Sequence, residues 1–320
     1  MIVVLDGLAA NPGDISWSPL EKFGDVKAYD VTKPDELIER AKDSEIVITN
    51  KTPFDAETLA QLPNLKYIGV LATGYNVVDI EACRKRGIAV TNVPEYGTFA
   101  TAQMTIALLL EIADRVGLHT DSVMSGEWVT APQFSYFKAP LIELAGKHLH
   151  IVGFGKIGRR VAAIASALGM NVSATPHNLN SSEEKVEGYT VKMLPLEEGL
   201  ASADVVTLHC PLTPETNALI NEERISAMKD GAILLNCSRG PVIDEAAVRK
   251  ALDSGKLSGF GADVVSVEPM LPDNPLLGAP NTFITPHIAW APVETRKRLI
   301  QAAADNIGAY IKGERLNRVD

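Results

Sequence analysis

Cysteine, basic charge and long apolar runs are all scarce in this sequence of 320 residues. Its three cysteines, Cys83, Cys210 and Cys237, are an odd number without paired spacing, which predicts buried free thiols rather than a disulfide framework or a zinc site. The formal net charge of -10 argues against nucleic acid and against an anionic membrane surface as partners. No apolar run is long enough to cross a bilayer, and the N-terminus lacks the basic lead of a signal peptide. We therefore expect a cytoplasmic protein without a metal site.

The composition that remains is typical of a folded protein with ordinary cores. Hydrophobic residues make up 46% of the chain and charged residues 22%, and the length suggests about two domains. An acidic chain binds an anionic substrate only through a local cationic pocket. A small number of Arg or His side chains must therefore carry that task.

Short apolar segments alternate with amphipathic ones, which predicts parallel sheets covered by helices. The first series of predicted strands covers 2–5, 26–29, 46–49, 67–71 and 88–91. The second series covers 148–152, 171–174, 205–208, 232–235, 259–263 and 282–284. A long apolar helix over 101–116 separates the two series, and the polar segment 176–187 is predicted to be a loop. A final helix covers 293–311, and we expect it to return to the first domain.

A glycine-rich segment directly follows the predicted strand 148–152 and opens a helix. Its residues are Gly153, Phe154, Gly155, Lys156, Ile157 and Gly158. In this G-x-G-x-x-G spacing the first glycine permits a tight turn, the second allows the backbone to approach a pyrophosphate, and the third allows close helix–strand packing. The N-terminus of the helix offers N–H groups to the phosphates. Between a strand and a helix, the motif predicts dinucleotide binding.

The end of the next predicted strand departs from the usual pattern. An Asp or Glu about 20 positions further on normally holds the adenine ribose 2′-hydroxyl, but here the strand runs into Thr175, Pro176, His177 and Asn178. The missing carboxylate removes repulsion against a 2′-phosphate, which Thr175, His177 and Asn178 are able to hydrogen-bond. No Arg, the usual phosphate partner, is present in this segment. NAD(H) and NADP(H) both stay open, and we favour NADP or the use of both.

Arg239, Glu268 and His287 each follow a predicted strand. In an open parallel sheet, ligands bind at the carboxyl ends of the strands. Arg binds the carboxylate and carbonyl of a 2-oxo acid in a planar, bidentate manner. Imidazole exchanges protons near neutral pH, and a carboxylate on its other nitrogen fixes the tautomer. Each residue alone has an ordinary structural explanation, but together behind a dinucleotide motif they predict an oxidoreductase of 2-oxo acids.

These segments together resemble the D-isomer-specific 2-hydroxyacid dehydrogenases nearly from end to end. The similar segments are GFGKIG at 153–158, HCPLTPET at 209–216, NCSRGPVIDEAAV at 236–248, the stretch 263–268 and the dipeptide 286–287. Two further segments, KYIGVLATGYNVVD at 66–79 and ITPHIAWAP at 284–292, resemble the glycerate dehydrogenase and hydroxypyruvate reductase branch. The resemblance implies an NAD(P)-dependent oxidoreductase that transfers a hydride between nicotinamide and a small 2-oxo or D-2-hydroxy acid. Hydroxypyruvate or glyoxylate, reduced to D-glycerate or glycolate, are the leading substrates.

The resemblance also implies a role for each site residue. Arg239 would bind the substrate, His287 would be the acid/base catalyst, and Glu268 would orient His287. The other substrate contacts would be Thr73, Gly74 and Trp290. The cofactor contacts would be Thr105, Gly153, Gly155, Lys156, Ile157, Gly158, Thr175, His177, Asn178, Cys210, Pro211, Thr216, Cys237, Asp263 and Ala289. Among these, Asp263 would bind the nicotinamide carboxamide.

The expected architecture is an α/β fold of two doubly wound parallel-sheet domains. A Rossmann nucleotide domain, residues 100–290, is expected to be inserted in a flavodoxin-like substrate domain, residues 1–99 and 291–320. A homodimer formed through the nucleotide domain is also expected. Other enzymes of the family stay open, although phosphoglycerate would need extra cationic groups and formate would not need Arg239 in the same role. The alternative from another class is a non-catalytic, dinucleotide-sensing protein on the same fold, as in the similar transcriptional corepressors.

Overall fold

The computed structural model describes residues 1–178 and 180–320 and divides into two compact units. The first unit consists of Met1–Gly97 and Trp290–Asp320, and the second of Thr98–Ala289. The chain therefore leaves the first unit after Gly97 and returns to it at Trp290. Among the described residues, no helix combines the length and the apolar character needed to cross a membrane.

The first unit is built on a five-stranded sheet that is parallel throughout. Its strands are β1 (Ile2–Val4), β2 (Val26–Ala28), β3 (Ile46–Thr49), β4 (Tyr67–Val70) and β5 (Ala89–Thr91). Its helices are α1 (Ser18–Glu21), α2 (Pro34–Ala41), α3 (Ala56–Ala60), α4 (Ile80–Arg86) and the C-terminal helix (Val293–Ile311). The strand order β2-β1-β3-β4-β5 is that of flavodoxin-like doubly wound sheets.

The second unit is built on an eight-stranded sheet. Its strands are β6 (His148–Val152), β7 (Asn171–Thr175), β8 (Glu183–Val186), β9 (Tyr189–Met193), β10 (Val205–Leu208), β11 (Ala232–Asn236), β12 (Leu257–Ala262) and β13 (Thr282–Ile284). Its helices are α5 (Thr98–Asp114), α6 (Val116–Met124), α7 (Lys156–Ala167), α8 (Leu196–Ser202), α9 (Glu222–Ala227) and α10 (Glu245–Asp253). The order β13-β12-β11-β10-β6-β7-β9-β8 is the Rossmann arrangement with extra edge strands. Chain order reverses between β6 and β10, which makes their carboxyl ends a topological switch point. The prediction of a doubly wound α/β fold is confirmed.

Local sequence accounts for the ends of several elements. Asp79 caps α4 by accepting the Ala82 N–H at 2.9 Å, and Gly87 ends that helix in the left-handed conformation, with φ +70°. The helix predicted over 101–116 begins earlier, at Thr98, as α5. It ends at Asp114 because Arg115 has φ +51° and separates it from α6. Cys83, Cys210 and Cys237 are free and buried, as predicted.

The polar segment 176–187, predicted to be a loop, contains strand β8. This strand pairs antiparallel with β9 at the edge of the sheet, where most of its side chains meet solvent, so its polar sequence gives no apolar signal. Arg159 pairs with Glu184, and Arg160 pairs with Glu187 at 2.8 Å, so two ion pairs tie this hairpin to α7. The prediction failed because Val186 alone among the four residues of the strand is apolar and buried, so the strand is stabilised mainly by its neighbours.

Two histidines of β6 share a hydrogen-bonded network with β7. The Ser173 hydroxyl lies 2.7 Å from His148 Nε2 and 2.8 Å from His150 Nδ1. His150 Nε2 lies 3.0 Å from the Thr175 hydroxyl, which donates to the Leu194 carbonyl at 2.9 Å. Burial, with a smaller contribution from His148, lowers the pKa of His150 to about 4. His150 is therefore neutral at neutral pH.

The buried His150 predicts that acid destabilises the protein. In the unfolded chain His150 takes up a proton near pH 6.5, whereas in the folded chain it takes one up only near pH 4. Stability is therefore lost as the pH falls through this window. Acidification from about pH 7.5 to about pH 5.5 is expected to lower the free energy of unfolding by about 1 kcal/mol through this group. Urea titrations at both pH values measure the effect in wild-type and His150→Gln protein. The variant is expected to lose less stability on acidification, and an equal loss in both proteins would contradict the prediction.

Candidate active site

The glycine-rich loop lies at the switch point between β6 and β10. Gly153 has φ +94°, and a Cβ added there would lie 2.5 Å from the backbone nitrogen of Cys210. A Cβ on Gly158 would collide with the Gly153 carbonyl, so this glycine is required for close helix packing. A Cβ on Gly155, in contrast, would meet nothing within 4 Å. The open space lies at the N-terminus of α7, whose first residues are Lys156 and Ile157. Because the first N–H groups of a helix have no intrahelical partner, this loop fits a pyrophosphate.

The segment that follows β7 lies beside this loop. Val152 of β6 pairs with Thr175 of β7, so both strands end at the same level. The Thr175 hydroxyl donates its proton to the Leu194 carbonyl at 2.9 Å, so that proton is already engaged. His177 and Asn178 are exposed and carry the remaining side-chain donors among the predicted ribose contacts.

The other predicted cofactor residues of the second unit are mostly buried, with Pro211 exposed and Thr216 half-buried. Thr216 donates to the Pro211 carbonyl at 2.6 Å and so closes the turn that begins after Cys210. Thr105 and Cys237 are buried, with the Thr105 hydroxyl donating to the Thr101 carbonyl at 2.9 Å. Burial raises the pKa of the Cys237 thiol to about 12, so this cysteine is not a nucleophile.

Asp263 follows β12 and holds the segment that carries His287. Its buried carboxylate accepts hydrogen bonds from the Thr285 hydroxyl at 2.5 Å, the Ile288 N–H at 2.9 Å and the Ala289 N–H at 2.8 Å. The sequence predicted a contact with the nicotinamide carboxamide for Asp263. Its hydrogen bonds to the loop were not predicted, since spacing along the chain does not reveal them.

His287 and Glu268 form a hydrogen-bonded pair. His287 Nδ1 lies 2.6 Å from Glu268 Oε2, and Glu268 Oε1 accepts the Val265 N–H at 3.2 Å. About a third of each side chain is exposed, 34% for His287 and 36% for Glu268, so the pair is accessible to a ligand. His287 has φ +54°, an uncommon conformation for a residue with a side chain. The bonds from Asp263 to its neighbours Ile288 and Ala289 maintain this conformation.

Arg239 follows β11 at the same edge of the sheet. Its side chain is exposed, and its Nη1 donates to the Ser238 carbonyl at 2.7 Å. The next residue, Gly240, has no room for a Cβ because the backbone of Val265 and Ser266 occupies that space. The turn that carries Arg239 therefore packs directly on the segment that leads to Glu268.

Thr73, Gly74 and Trp290 belong to the first unit. The Thr73 carbonyl accepts from Asn92 Nδ2 at 2.7 Å, and the Thr73 hydroxyl donates to the Val93 carbonyl at 3.1 Å, so this loop is anchored. The Trp290 ring is half-buried and lies edge-on to a tyrosine ring, with 6.5 Å between centroids. Across residues 1–178 and 180–320, no group of three or more His, Cys, Asp or Glu residues is placed to hold a metal ion.

Known proteins similar to this chain point to one family. The D-isomer specific 2-hydroxyacid dehydrogenase NAD binding domain matches residues 106–289. The chain is 48% identical to the hydroxypyruvate reductase of Blautia hydrogenotrophica, covering 100% of this chain and 99% of that protein. It is 39% identical to the glycerate dehydrogenase of Methylorubrum extorquens, covering 92% of this chain and 91% of that protein.

A solved structure supports the same conclusion. The D-lactate dehydrogenase of Aquifex aeolicus, complexed with NAD and lactic acid, matches with a TM-score of 0.81 and 29% identity, covering 98% of this chain and 96% of that chain. The resemblance predicted from the motifs is confirmed. The chain belongs to the D-isomer-specific 2-hydroxyacid dehydrogenase family, in the glycerate dehydrogenase and hydroxypyruvate reductase branch, and is an oxidoreductase of small hydroxy acids that uses a nicotinamide dinucleotide.

Proposed function

We propose that this enzyme reduces hydroxypyruvate and glyoxylate to D-glycerate and glycolate. The observation that carries the proposal is the 2.6 Å bond between His287 and Glu268, in the same unit as Arg239. The hydroxypyruvate reductase and the glycerate dehydrogenase that align with nearly all of this chain support these substrates.

The site residues are proposed to divide the chemistry among them. Arg239 binds the substrate carboxylate and carbonyl, because a guanidinium presents parallel N–H groups to two oxygens. When bound, the nicotinamide dinucleotide supplies the hydride in reduction and accepts it in oxidation. His287 Nε2 donates a proton to the substrate oxygen in reduction and takes one back in oxidation, because Nδ1 faces Glu268. Glu268 fixes the tautomer and stabilises the imidazolium.

The first unit is proposed to be the substrate domain and the second unit the dinucleotide-binding domain. Thr73, Gly74 and Trp290 are the proposed substrate contacts of the first unit. The anchored Thr73 carbonyl supports this role, because a fixed loop presents its N–H groups without further ordering. In the second unit, Asp263 is proposed to bind the carboxamide in addition to holding the loop, since a carboxylate has about four acceptor sites and three are engaged.

The cofactor is proposed to be NADP(H), or both dinucleotides. The absence of an acid in the segment 175–178 supports a 2′-phosphate, and the engaged Thr175 hydroxyl leaves His177 and Asn178 as the side-chain donors. The other proposed cofactor contacts are Thr105, Gly153, Gly155, Lys156, Ile157, Gly158, Cys210, Pro211, Thr216, Cys237 and Ala289. Of these, Gly155 has the strongest support, because of the open space beside it.

A homodimer formed through the second unit is also proposed. Large apolar side chains are exposed after α6, with Val129 and Phe134 each 88% exposed and Phe137 76% exposed. Exposed apolar patches of this kind are typical of protein–protein interfaces. Three free, buried cysteines support a reducing compartment such as the cytoplasm.

A panel of 2-oxo acids assayed with both reduced cofactors tests the substrate and the cofactor together. We expect the highest kcat/KM for hydroxypyruvate and glyoxylate, lower values for pyruvate and bulkier 2-oxo acids, and a kcat/KM with NADPH at least equal to that with NADH. A strong preference for NADH would contradict the cofactor proposal. Binding of cofactor without turnover of any 2-oxo acid would favour the non-catalytic sensor instead.

A further inference from the structure

Glu245 is the first residue of α10 and reaches away from its own helix. The preceding residue, Asp244, caps the helix by accepting the Ala246 and Ala247 N–H groups at 3.0 and 3.1 Å. The Glu245 carboxylate is therefore not needed as the cap. Its Oε1 accepts the Ser266 N–H at 2.7 Å, and its Oε2 accepts from Asn274 Nδ2 at 2.9 Å.

These two bonds join Glu245 to both ends of the segment that carries Glu268. Residues 266–269 are exposed, so burial does little to fix them. The Asn274 amide has a fixed orientation because its oxygen accepts the Leu276 N–H at 2.9 Å. One carboxylate therefore anchors an otherwise exposed segment at two points.

The same segment is in contact with the turn that carries Arg239. The backbone of Val265 and Ser266 occupies the space where a Cβ on Gly240 would lie. Gly240 begins a single 3₁₀ turn, Gly240–Val242, which leads through Asp244 into α10. Glu245 thus links the start of α10, which follows the turn of Arg239 in the chain, to the segment that carries Glu268.

We infer that Glu245 is a positioning residue that keeps the Glu268 carboxylate in line with His287. This inference rests on the proposed roles of Glu268 and His287. A charged acceptor holds a backbone N–H about twice as strongly as a neutral one, so Glu245 suits this task better than an amide. Without it, the exposed segment moves, Glu268 no longer faces Nδ1, and the imidazolium loses stabilisation.

The test compares Glu245→Ala and Glu245→Gln with wild-type protein in the reductive direction. For Glu245→Ala we expect kcat to fall about tenfold. KM should change less than about twofold, because Arg239 still binds the substrate. The midpoint of the alkaline loss of kcat/KM should move to lower pH by about half a unit or more. Glu245→Gln keeps one oxygen that accepts the Ser266 N–H. This variant should therefore show a smaller fall in kcat and a smaller shift of the pH midpoint.

Glu222→Ala is the matched control. Glu222 is also the first residue of a helix, capped by the preceding Asn221, and its carboxylate pairs with Lys250 at 2.5 Å on the surface. We expect this variant to retain wild-type kcat and pH dependence. Cofactor binding, measured by fluorescence, and the thermal midpoint verify that each variant is folded. If Glu245→Ala does not fold, the partial effect of Glu245→Gln on the pH midpoint carries the test.

Glu268→Gln separates this inference from the proposed function. In that background Glu245→Ala should move the pH midpoint no further, because the two residues act through one carboxylate. If Glu268→Gln is impaired but Glu245→Ala has wild-type kcat and pH dependence, the positioning role is overturned. If Glu268→Gln itself retains wild-type turnover, the proposed role of Glu268 fails, and the inference fails with it.

Discussion

Replacement of His287 by alanine is expected to lower kcat by about 1000-fold while cofactor affinity changes less than about twofold. The ring is bonded to Glu268 at 2.6 Å and is the side chain proposed to exchange a proton with the substrate oxygen. Its loss removes the proton donor but leaves the glycine-rich loop intact. Stopped-flow or steady-state reduction of hydroxypyruvate measures kcat, and fluorescence titration with the reduced dinucleotide measures affinity.

His119→Ala is the control for this experiment. His119 lies in α6 of the same unit, where its Nδ1 lies 2.8 Å from the Arg115 carbonyl and its Nε2 accepts the Lys138 N–H at 3.2 Å. This variant loses an imidazole of comparable exposure and should retain wild-type kcat. Turnover by His287→Ala above about a tenth of the wild-type rate would exclude His287 as the acid/base catalyst.

Conversion of Arg239 to lysine is expected to lower kcat/KM about 100-fold, with KM raised and kcat reduced. A lysine keeps the positive charge, so attraction to the substrate carboxylate remains. It lacks the planar pair of N–H groups, so the carboxylate and carbonyl are no longer held together in one orientation. Initial rates over a range of glyoxylate or hydroxypyruvate concentrations separate the two parameters.

Arg224→Lys is the matched substitution on the surface of the same unit. Arg224 pairs with Glu197 at 3.0 Å and donates to the Leu219 carbonyl at 2.9 Å. This conservative change should leave kcat/KM within about twofold of wild type. Unchanged kinetics in Arg239→Lys as well would assign Arg239 a purely structural role.

Periodicity predicted the elements whose side chains are apolar and buried, such as β6, β10 and β11. It missed β8, which has three charged residues among its four. It also missed α8, where a glycine within a polar segment argues against a helix. The structure explains that glycine, because the His150 ring fills the place where a Cβ on Gly199 would lie. Such a contact between distant segments leaves no trace in local propensity.

The proposed catalytic residues were easier to predict from the sequence than the residues that hold them in place. Arg239, Glu268 and His287 were identifiable because each follows a strand and each residue type suits one step of the reaction. The three hydrogen bonds accepted by Asp263, and the two accepted by Glu245, join residues far apart in the chain. The left-handed conformation of His287 was not predictable either, since few residues other than glycine adopt it.

The contact of Gly240 with the backbone of Val265 and Ser266 has a consequence for chirality. It holds the turn of Arg239 in direct contact with the segment that leads to Glu268. Both belong to the unit that contains the glycine-rich loop. In the proposed roles, this unit supplies two of the three contacts that fix the face of a planar 2-oxo acid, with the carboxylate at Arg239 and the carbonyl oxygen at His287. A substrate held at two points still turns about the line between them, so a third contact selects the face that receives the hydride. The handedness of a chiral product such as D-glycerate thus depends on the spacing of two anchors that this unit sets and on one further contact with the substrate.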